Sequence, residues 1–166
     1  MGEIDFDSYI GQPTGEGIVT VERATVSAFA AAVLDDNPVY RNKDAAAAAG
    51  FEDIPAPPTY FFSAAQNYGQ WEEEQPADPT DGKNPMAEVM GGLMSTGGLI
   101  LHGEQEFAYH RPVLVGEKLR QRGVVRDIYQ KAAGERTMTF MVIETTYTDD
   151  ADEPVVVSTM NLLHRS

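Results

Sequence analysis

Apolar residues near the start of the chain recur at helical spacing, and a turn follows directly. The positions that share one helical face are Val26, Phe29, Ala30 and Val33. Spacing of three and four residues predicts a helix with one buried face. Thr20 or Thr25 is placed to cap its start. Pro38 prevents the helix from continuing, so the residues just before it form a turn.

Two further helices are predicted after this turn. The alanine-rich run from Asp44 to Ala49 reads as a short helix that Gly50 closes. Ala56-Pro57-Pro58 is extended, because proline biases the preceding residue away from helix. Thr59 can then cap a helix that continues to about Tyr68 and points its aromatic side chains into a core.

Strand-like patterns dominate the second half of the chain. Apolar and polar residues alternate there, and Gly134 and the acidic 149–153 segment supply hairpin turns. The predicted strands cover residues 15–22, 99–111, 117–130, 137–148 and 154–165. Helices early in the chain followed by successive antiparallel strands predict the α+β class.

Residues from about 70 to 98 differ from their surroundings. The stretch begins with glutamates, prolines and turn-forming pairs, and continues with spaced methionines and two glycine pairs. The sequence predicts a flexible insertion, rich in glycine, methionine and acidic residues, within one domain of residues 1–166. A long loop in a compact domain is functional or mobile. Its methionines also suit an adaptable apolar surface.

Composition is consistent with one globular domain. The 166 residues are 42% hydrophobic, which is enough for a full-sized core. No apolar run reaches the length of about 18 residues that a membrane span needs. The first residues lack the basic and apolar regions of a signal peptide, and the chain has no cysteine. These features predict a cytoplasmic protein without disulfides.

The chain is strongly acidic, with a formal net charge of −14. Such a charge repels nucleic acid, which proteins bind through basic patches. An acidic surface is typical of salt-adapted proteins, and it also occurs in ordinary proteins that carry an acidic loop. Both interpretations stay open, because net charge concerns solubility and association and not the fold.

The segment from residue 34 to residue 51 carries the most informative motif. Its residues are Leu34, Asp35, Asn37, Pro38, Val39, Tyr40, Ala45, Gly50 and Phe51. Their types and order resemble the Gly-Asp-x-Asn-Pro-(Leu/Ile/Val)-His pattern of the (R)-specific enoyl-CoA hydratases, the MaoC-like or hydratase-2 family. Leu34 replaces the glycine of that pattern, and Tyr40 replaces the histidine.

A second block, residues 101–117, resembles the amino-terminal-type domain of MaoC-like dehydratases. Actinobacterial (3R)-hydroxyacyl-thioester dehydratases use such a domain as their non-catalytic subunit. The resemblance implies a hot-dog fold, in which a curved antiparallel sheet wraps around a central helix. That helix is the one predicted from Thr59 to about Tyr68.

The family's reaction adds water to a 2-enoyl thioester, or removes it from a 3-hydroxyacyl thioester. It needs a group that activates water, a proton donor for the α-carbon and hydrogen-bond donors for the thioester oxygen, and no cofactor. The resemblance implies Asp35 and Asn37 as catalytic positions, with Tyr40 at the histidine position. A tyrosine, with a pKa of about 10, is a poor base at neutral pH. Pro57 and Pro58 offer no amide hydrogen at the expected oxyanion site.

Residue types alone give a simpler role for two of these positions. Aspartate and asparagine cap turns and end helices without any part in catalysis, so this interpretation of Asp35 and Asn37 stays open. The predicted substrate-binding residues are Tyr40, Phe51, Pro57, Thr59 and His102. Arg111 and Arg122 are weaker candidates for contacts with coenzyme phosphates.

The histidines lie in or beside predicted strands. His102 precedes Glu104 and Gln105, and the three side chains suit a buried hydrogen-bond network. Alternate spacing places His102, Glu104 and His110 on one strand face. No fourth ligand accompanies them, so no metal site is predicted.

The sequence therefore predicts a subunit of an (R)-specific 2-enoyl-CoA hydratase or 3-hydroxyacyl-thioester dehydratase, in which this chain is the acyl-binding accessory subunit. The expected partners are an acyl-CoA or acyl-carrier-protein thioester and a second MaoC-like chain, or a second copy of this one. Three alternatives stay open: a homodimeric hydratase that uses Asp35, a non-catalytic acyl-CoA binding module and a hot-dog thioesterase. One fold serves several chemistries.

Overall fold

An antiparallel sheet of five strands forms the frame of the computed structural model, which describes residues 4–134 and 136–166. The strands are β1 (Pro13–Thr20), β2 (Leu99–Tyr109), β3 (Lys118–Ala133), β4 (Arg136–Thr148) and β5 (Pro154–Arg165). Their order across the sheet is β1-β3-β4-β5-β2, so β1 and β2 are the edge strands. The predicted strands are confirmed, with ends that differ by up to three residues.

Four α-helices accompany the sheet within the described residues: α1 (Arg23–Ala32), α2 (Lys43–Ala48), α3 (Tyr60–Asn67) and α4 (Pro85–Met94). Short 3-10 turns occupy Phe6–Tyr9, Pro38–Tyr40 and Glu72–Glu74. None of the helices in the described part of the chain is long and apolar enough to cross a membrane.

The sheet wraps around α3, as the hot-dog fold requires. Tyr60, Phe61, Ala64 and Ala65 of this helix are buried. Their cluster includes Tyr147 of β4, whereas the cluster that buries α4 includes Ile143 of the same strand. Residues an even number apart on a strand share a face. Both helices therefore cover one face of the sheet, and the predicted α+β hot-dog fold is confirmed.

The stretch predicted as a loop contains α4, so that part of the prediction is wrong. The Asn84 side chain accepts a hydrogen bond from the Met86 backbone N at 2.9 Å, and Pro85 occupies the first helical position. Both features favour a helix start. Val89, Met90 and Leu93 are then buried against the sheet. Tertiary burial outweighs the helix-weakening effect of the two glycines inside α4.

The predicted helix caps are also wrong in detail. Glu22, and neither Thr20 nor Thr25, precedes the first residue of α1. The Thr25 hydroxyl instead lies 2.6 Å from the Tyr60 hydroxyl and connects α1 to α3. Thr59 does occupy the position before α3, but among the described residues its side chain makes no capping hydrogen bond.

Candidate functional site

A reversed turn connects α1 to the motif segment. Leu34 adopts a φ of 60° and is 90% exposed, and the next backbone amide, of Asp35, donates to the Ala30 carbonyl. A positive φ is unfavourable for a leucine, and glycine adopts it at no steric cost. The glycine of the family pattern would thus fit this turn better than Leu34 does.

The motif side chains hold the turn that follows. Asp35 Oδ1 accepts a hydrogen bond from the Asn37 backbone N at 3.0 Å. Asn37 Oδ1 accepts one from the Val39 backbone N at 3.2 Å and so caps the 3-10 turn. These contacts are the turn-capping role that aspartate and asparagine commonly have.

Two arginines hold the same turn through its carbonyl groups. The Arg41 guanidinium donates to the Asp35 carbonyl at 2.8 Å, and the Arg23 guanidinium donates to the Arg41 carbonyl at 3.3 Å. Within residues 4–134 and 136–166, neither arginine forms an ion pair with a carboxylate. The Arg23 contact therefore connects the motif segment to the start of α1, and the Arg41 contact holds the segment together.

A cavity of about 550 Å³ lies beside the motif segment. Its walls come from the motif, from the segment before α3 and from the end of β2 with the residues that follow. The lining residues are Asn37, Val39, Tyr40, Ala49, Phe51, Pro55, Ala56, Pro58, Tyr109, His110, Arg111, Pro112 and Val113. Most of these side chains are apolar, and the polar groups lie at a few places, which is typical of small-molecule sites.

The structure brings together only part of the predicted site. Asn37, Tyr40 and Phe51 line the cavity. Asp35, Pro57 and Thr59 are not among the described residues that line it, although the neighbouring Pro58 is. The predicted catalytic pair is thus divided. Asn37 lines the cavity, whereas the carboxylate of Asp35 accepts a hydrogen bond within the turn.

Tyr40 occupies the cavity wall at the histidine position of the pattern. Partial burial raises the pKa of its hydroxyl, and the negative charge of Asp35 raises it further. Both effects disfavour the phenolate, because a buried charge and a neighbouring like charge are costly. The hydroxyl therefore keeps its proton at neutral pH and can donate a hydrogen bond into the cavity.

His102, by contrast, is not among the described residues that line the cavity. It lies on the edge strand β2 with its ring 4.9 Å from that of Phe62, in an edge-to-face contact. The predicted network of His102, Glu104 and Gln105 is wrong. Glu104 accepts a hydrogen bond from Asn161 at 2.7 Å, and Gln105 donates to Ser158 at 2.7 Å. A bulge between His102 and Glu104 shifts the strand register.

The last residue of β2 and the residues directly after it form another wall of the cavity. The Tyr109 hydroxyl donates to the Pro58 carbonyl, and burial raises the pKa of Tyr109. Arg111 donates to both carboxylate oxygens of Glu117, at 2.8 and 3.0 Å, and to Asp149 at 3.4 Å. Between them, the His110 side chain lines the cavity and has no hydrogen-bond partner among the described residues.

Sequence reasoning gave little weight to these residues at the end of β2. Their signal is position: they follow a strand end, where loops place functional side chains against a rigid frame.

Arg122, the other candidate for phosphate contact, is paired with Glu16 and Asp152. His164 is buried, with Nε2 at 2.8 Å from the Gly97 carbonyl. In the described part of the chain, no group of three His, Cys, Asp or Glu residues suits a metal ion.

Comparison with known proteins extends these observations. Residues 8–158 match the family profile described as the FAS1-like, dehydratase domain region. The UPF0336 protein of Saccharopolyspora erythraea is 30% identical over 145 residues, which are 87% of this chain and 81% of that protein. The UPF0336 protein Franean1_6066 of a Parafrankia species is 32% identical over 145 residues, 87% of this chain and 83% of that protein.

Solved structures share the fold at lower identity. The ChsH1-ChsH2 complex from Mycobacterium tuberculosis matches with a TM-score of 0.70 and 24% identity, over 91% of this chain and 83% of the matched chain. The truncated HadBC (3R-hydroxyacyl-ACP dehydratase) complex from the same organism matches with a TM-score of 0.67 and 22% identity, over 93% and 96%. A MaoC-like dehydratase matches with a TM-score of 0.70 and 22% identity, over 95% of this chain and 42% of the matched chain.

Proposed function

Because the chain belongs to the family of the FAS1-like, dehydratase domain region, we propose that it is the acyl-binding accessory subunit of an (R)-specific 2-enoyl-CoA hydratase or 3-hydroxyacyl-thioester dehydratase. One observation carries the proposal: Tyr40, with its raised pKa, lines the cavity at the position of the family's histidine. A group that holds its proton at neutral pH cannot activate water as a base.

The cavity also lacks the carboxylate of the motif. Asp35 is engaged with the Asn37 backbone amide, and it does not belong to the described cavity lining. Hydration of an enoyl thioester needs a base and an acid that both reach the reacting atoms. Neither member of the expected pair meets this condition here, which favours a partner chain as the source of the proton transfers.

The part of this chain in the proposed enzyme is to bind the acyl group. The apolar lining of the cavity suits the burial of a hydrocarbon chain, which is stabilised by about 25 cal/mol per Å² of apolar surface removed from water. Asn37 and the hydroxyl of Tyr40 lie at the same wall. They can donate hydrogen bonds to the carbonyl oxygen of a thioester.

A second MaoC-like chain is the proposed partner, and the edge strand β2 is the proposed contact. Leu99 and Leu101 on this strand are 47% and 41% exposed, and Phe62 beside His102 is 40% exposed. Unpaired edge strands and exposed apolar groups favour association. The ChsH1-ChsH2 and HadBC structures are named as complexes. We further propose that residues 1–166 form one domain. We also propose that the complex works in the cytoplasm.

One observation favours a second candidate, the homodimeric hydratase. His110 lines the cavity with an imidazole that makes no hydrogen bond within the described residues. It could supply the base that Tyr40 cannot. The lack of a hydrogen bond to this imidazole within the described residues also weakens the candidate, because a catalytic imidazole is usually oriented by a third group.

The test compares crotonyl-CoA hydration by three samples: the purified chain, a MaoC-like chain with an intact Asp-x-Asn-Pro-x-His motif from the same genome, and their mixture. We expect turnover by the mixture at a rate well above the sum of the separate samples. Asp→Asn in the partner's motif should abolish it. Tyr40→Phe in this chain should lower it less than about tenfold, since general acid–base catalysis is worth about 10²–10⁴-fold.

Other outcomes would support the alternatives. Full turnover by the isolated chain contradicts the accessory role, and its loss in the His110→Asn variant then identifies the homodimeric hydratase. Release of free coenzyme A indicates a thioesterase. Tight binding of the thioester without turnover in any mixture indicates a binding module.

A further inference from the structure

A hydrogen bond connects two elements at one wall of the cavity. The hydroxyl of Tyr109, the last residue of β2, donates to the carbonyl of Pro58, which lies just before α3. Both residues line the cavity. The tyrosine ring thus spans the gap between the sheet edge and the start of the central helix.

Aromatic side chains lie behind this ring. The centroid of Tyr109 is 6.5 Å from that of Phe61 and 6.1 Å from that of Phe107. Phe61 is fully buried between α3 and the sheet, and Phe107 packs against the same core cluster. Phe107 and Tyr109 are two residues apart on β2 and share a face of the strand. Apolar core side chains, and no polar group of Phe61 or Phe107, therefore lie behind the ring.

We propose that Tyr109 sets the length of acyl chain that the cavity accepts; this inference rests on the proposed acyl-binding function. The hydroxyl holds the ring at the cavity wall, where the ring separates the cavity from Phe107 and Phe61. Acyl chains that end at the Tyr109 ring fit in the cavity, and longer chains clash with the ring. Tyr109 therefore acts through its bulk, and the hydrogen bond to Pro58 keeps that bulk in place.

The physical effect of shortening this side chain is specific. Tyr109→Ala opens the wall toward Phe107 and Phe61, so that extra methylene groups of a long acyl chain become buried. Each buried methylene strengthens binding about fourfold. Three additional methylenes therefore increase affinity by about 60-fold, and a tenfold change in the preference of long over short chains is a conservative expectation.

The experiment uses calorimetry to measure how tightly the full chain binds saturated acyl-CoA thioesters of about 4, 8 and 12 acyl carbons. Wild type, Tyr109→Ala, Tyr109→Leu and Tyr109→Phe are compared. Tyr129→Ala is the matched control, because Tyr129 stacks on Phe140 and does not line the cavity. Turnover of the corresponding enoyl thioesters by the mixture with the partner chain is the second readout.

We expect Tyr109→Ala and Tyr109→Leu to raise the ratio of long-chain to short-chain affinity at least tenfold. Tyr109→Phe keeps the bulk of the ring but loses the hydrogen bond to Pro58, so its ratio should lie between those of wild type and Tyr109→Leu. The Tyr129→Ala control should match wild type. Circular dichroism confirms that each variant is folded, and the leucine variant preserves the test if the alanine variant does not fold.

Two failures are distinguishable. If wild type and the shortened variants bind thioesters with the same chain-length profile, the role of Tyr109 is wrong and the proposed function stands. If no thioester binds to wild type and none is turned over by the mixture, the proposed function itself fails. An equal change of the profile in the Tyr129→Ala variant also contradicts the inference, because the effect would not depend on the cavity wall.

Discussion

The carboxylate of Asp35 accepts a hydrogen bond from the backbone amide of Asn37, with Oδ1 and N 3.0 Å apart. Asn37 repeats this arrangement with Val39 two residues further on. The two side chains at the catalytic positions of the family pattern thus form consecutive turn caps. This geometry gives both motif residues a structural role in a chain whose cavity has a tyrosine at the histidine position.

A pair of substitutions at Asp35 separates turn capping from catalysis. Asn keeps an acceptor oxygen for the Asn37 amide but carries no charge, whereas Ala removes both. We expect Asp35→Asn to leave the free energy of unfolding and the turnover of the mixed complex nearly unchanged. Asp35→Ala should lower the free energy of unfolding by about 1 kcal/mol. Urea unfolding and crotonyl-CoA hydration provide the measurements. A loss of more than about 100-fold in turnover for Asp35→Asn would restore a catalytic role.

Much of the fold could be predicted from the sequence, because strand alternation and turn residues are local signals. The β3–β4 hairpin at Gly134 and the acidic turn before β5 are examples, and both flank strands found close to their predicted bounds. The helix α4 could not be predicted in this way. Asn84 and Pro85 give a local start signal, but the glycine pair argues against a helix. Burial against Val125 and Ile143, which the sequence pattern does not show, stabilises it.

The cavity was predictable on one side only. The motif from Asn37 to Phe51 is contiguous in sequence, so a pattern reveals it. Its opposite wall, with Tyr109 and His110, comes from a strand end far along the chain. The sequence predicts His102 as a substrate-binding residue instead. The register and the bulge of β2 place His102 against Phe62 at the sheet edge. Neither register nor a bulge is visible in a single sequence.

Met90 provides a test of whether α4 belongs to the core. Its side chain is 5% exposed and packs against the sheet, whereas Met94, one turn later, is 43% exposed. We expect Met90→Ala to lower the free energy of unfolding by about 2–5 kcal/mol. The matched Met94→Ala should change it by less than about 0.5 kcal/mol. Urea unfolding followed by circular dichroism measures both, and equal effects would mean that α4 is not part of the core.

Stability should fall in alkaline solution because of a buried tyrosine. Burial raises the pKa of Tyr147, and the neighbouring Tyr109 adds to the shift. The folded-state pKa lies above the unfolded value, so the stabilising contribution is complete below about pH 10 and is lost as the pH rises toward the folded pKa. Tyr147→Phe should weaken this alkaline loss of stability, measured by urea unfolding at a series of pH values. Phe62→Leu supplies the control, since it replaces an aromatic side chain that is 40% exposed and has no titratable group.

The edge strand β2 gives the sharpest test of the proposed partner. Leu101 is 41% exposed on this strand, so a charged side chain there remains in water when the chain is alone. Buried in an interface without a counter-charge, the same group is costly. Leu101→Glu should therefore leave folding intact and lower the affinity for the partner chain at least 100-fold, with a matching loss of turnover in the mixture. Size-exclusion chromatography with light scattering and titration calorimetry measure assembly. Ala132→Glu, at an exposed position of the β3–β4 hairpin, adds the same charge away from β2 and should assemble normally. Normal assembly of Leu101→Glu would mean that the partner binds elsewhere.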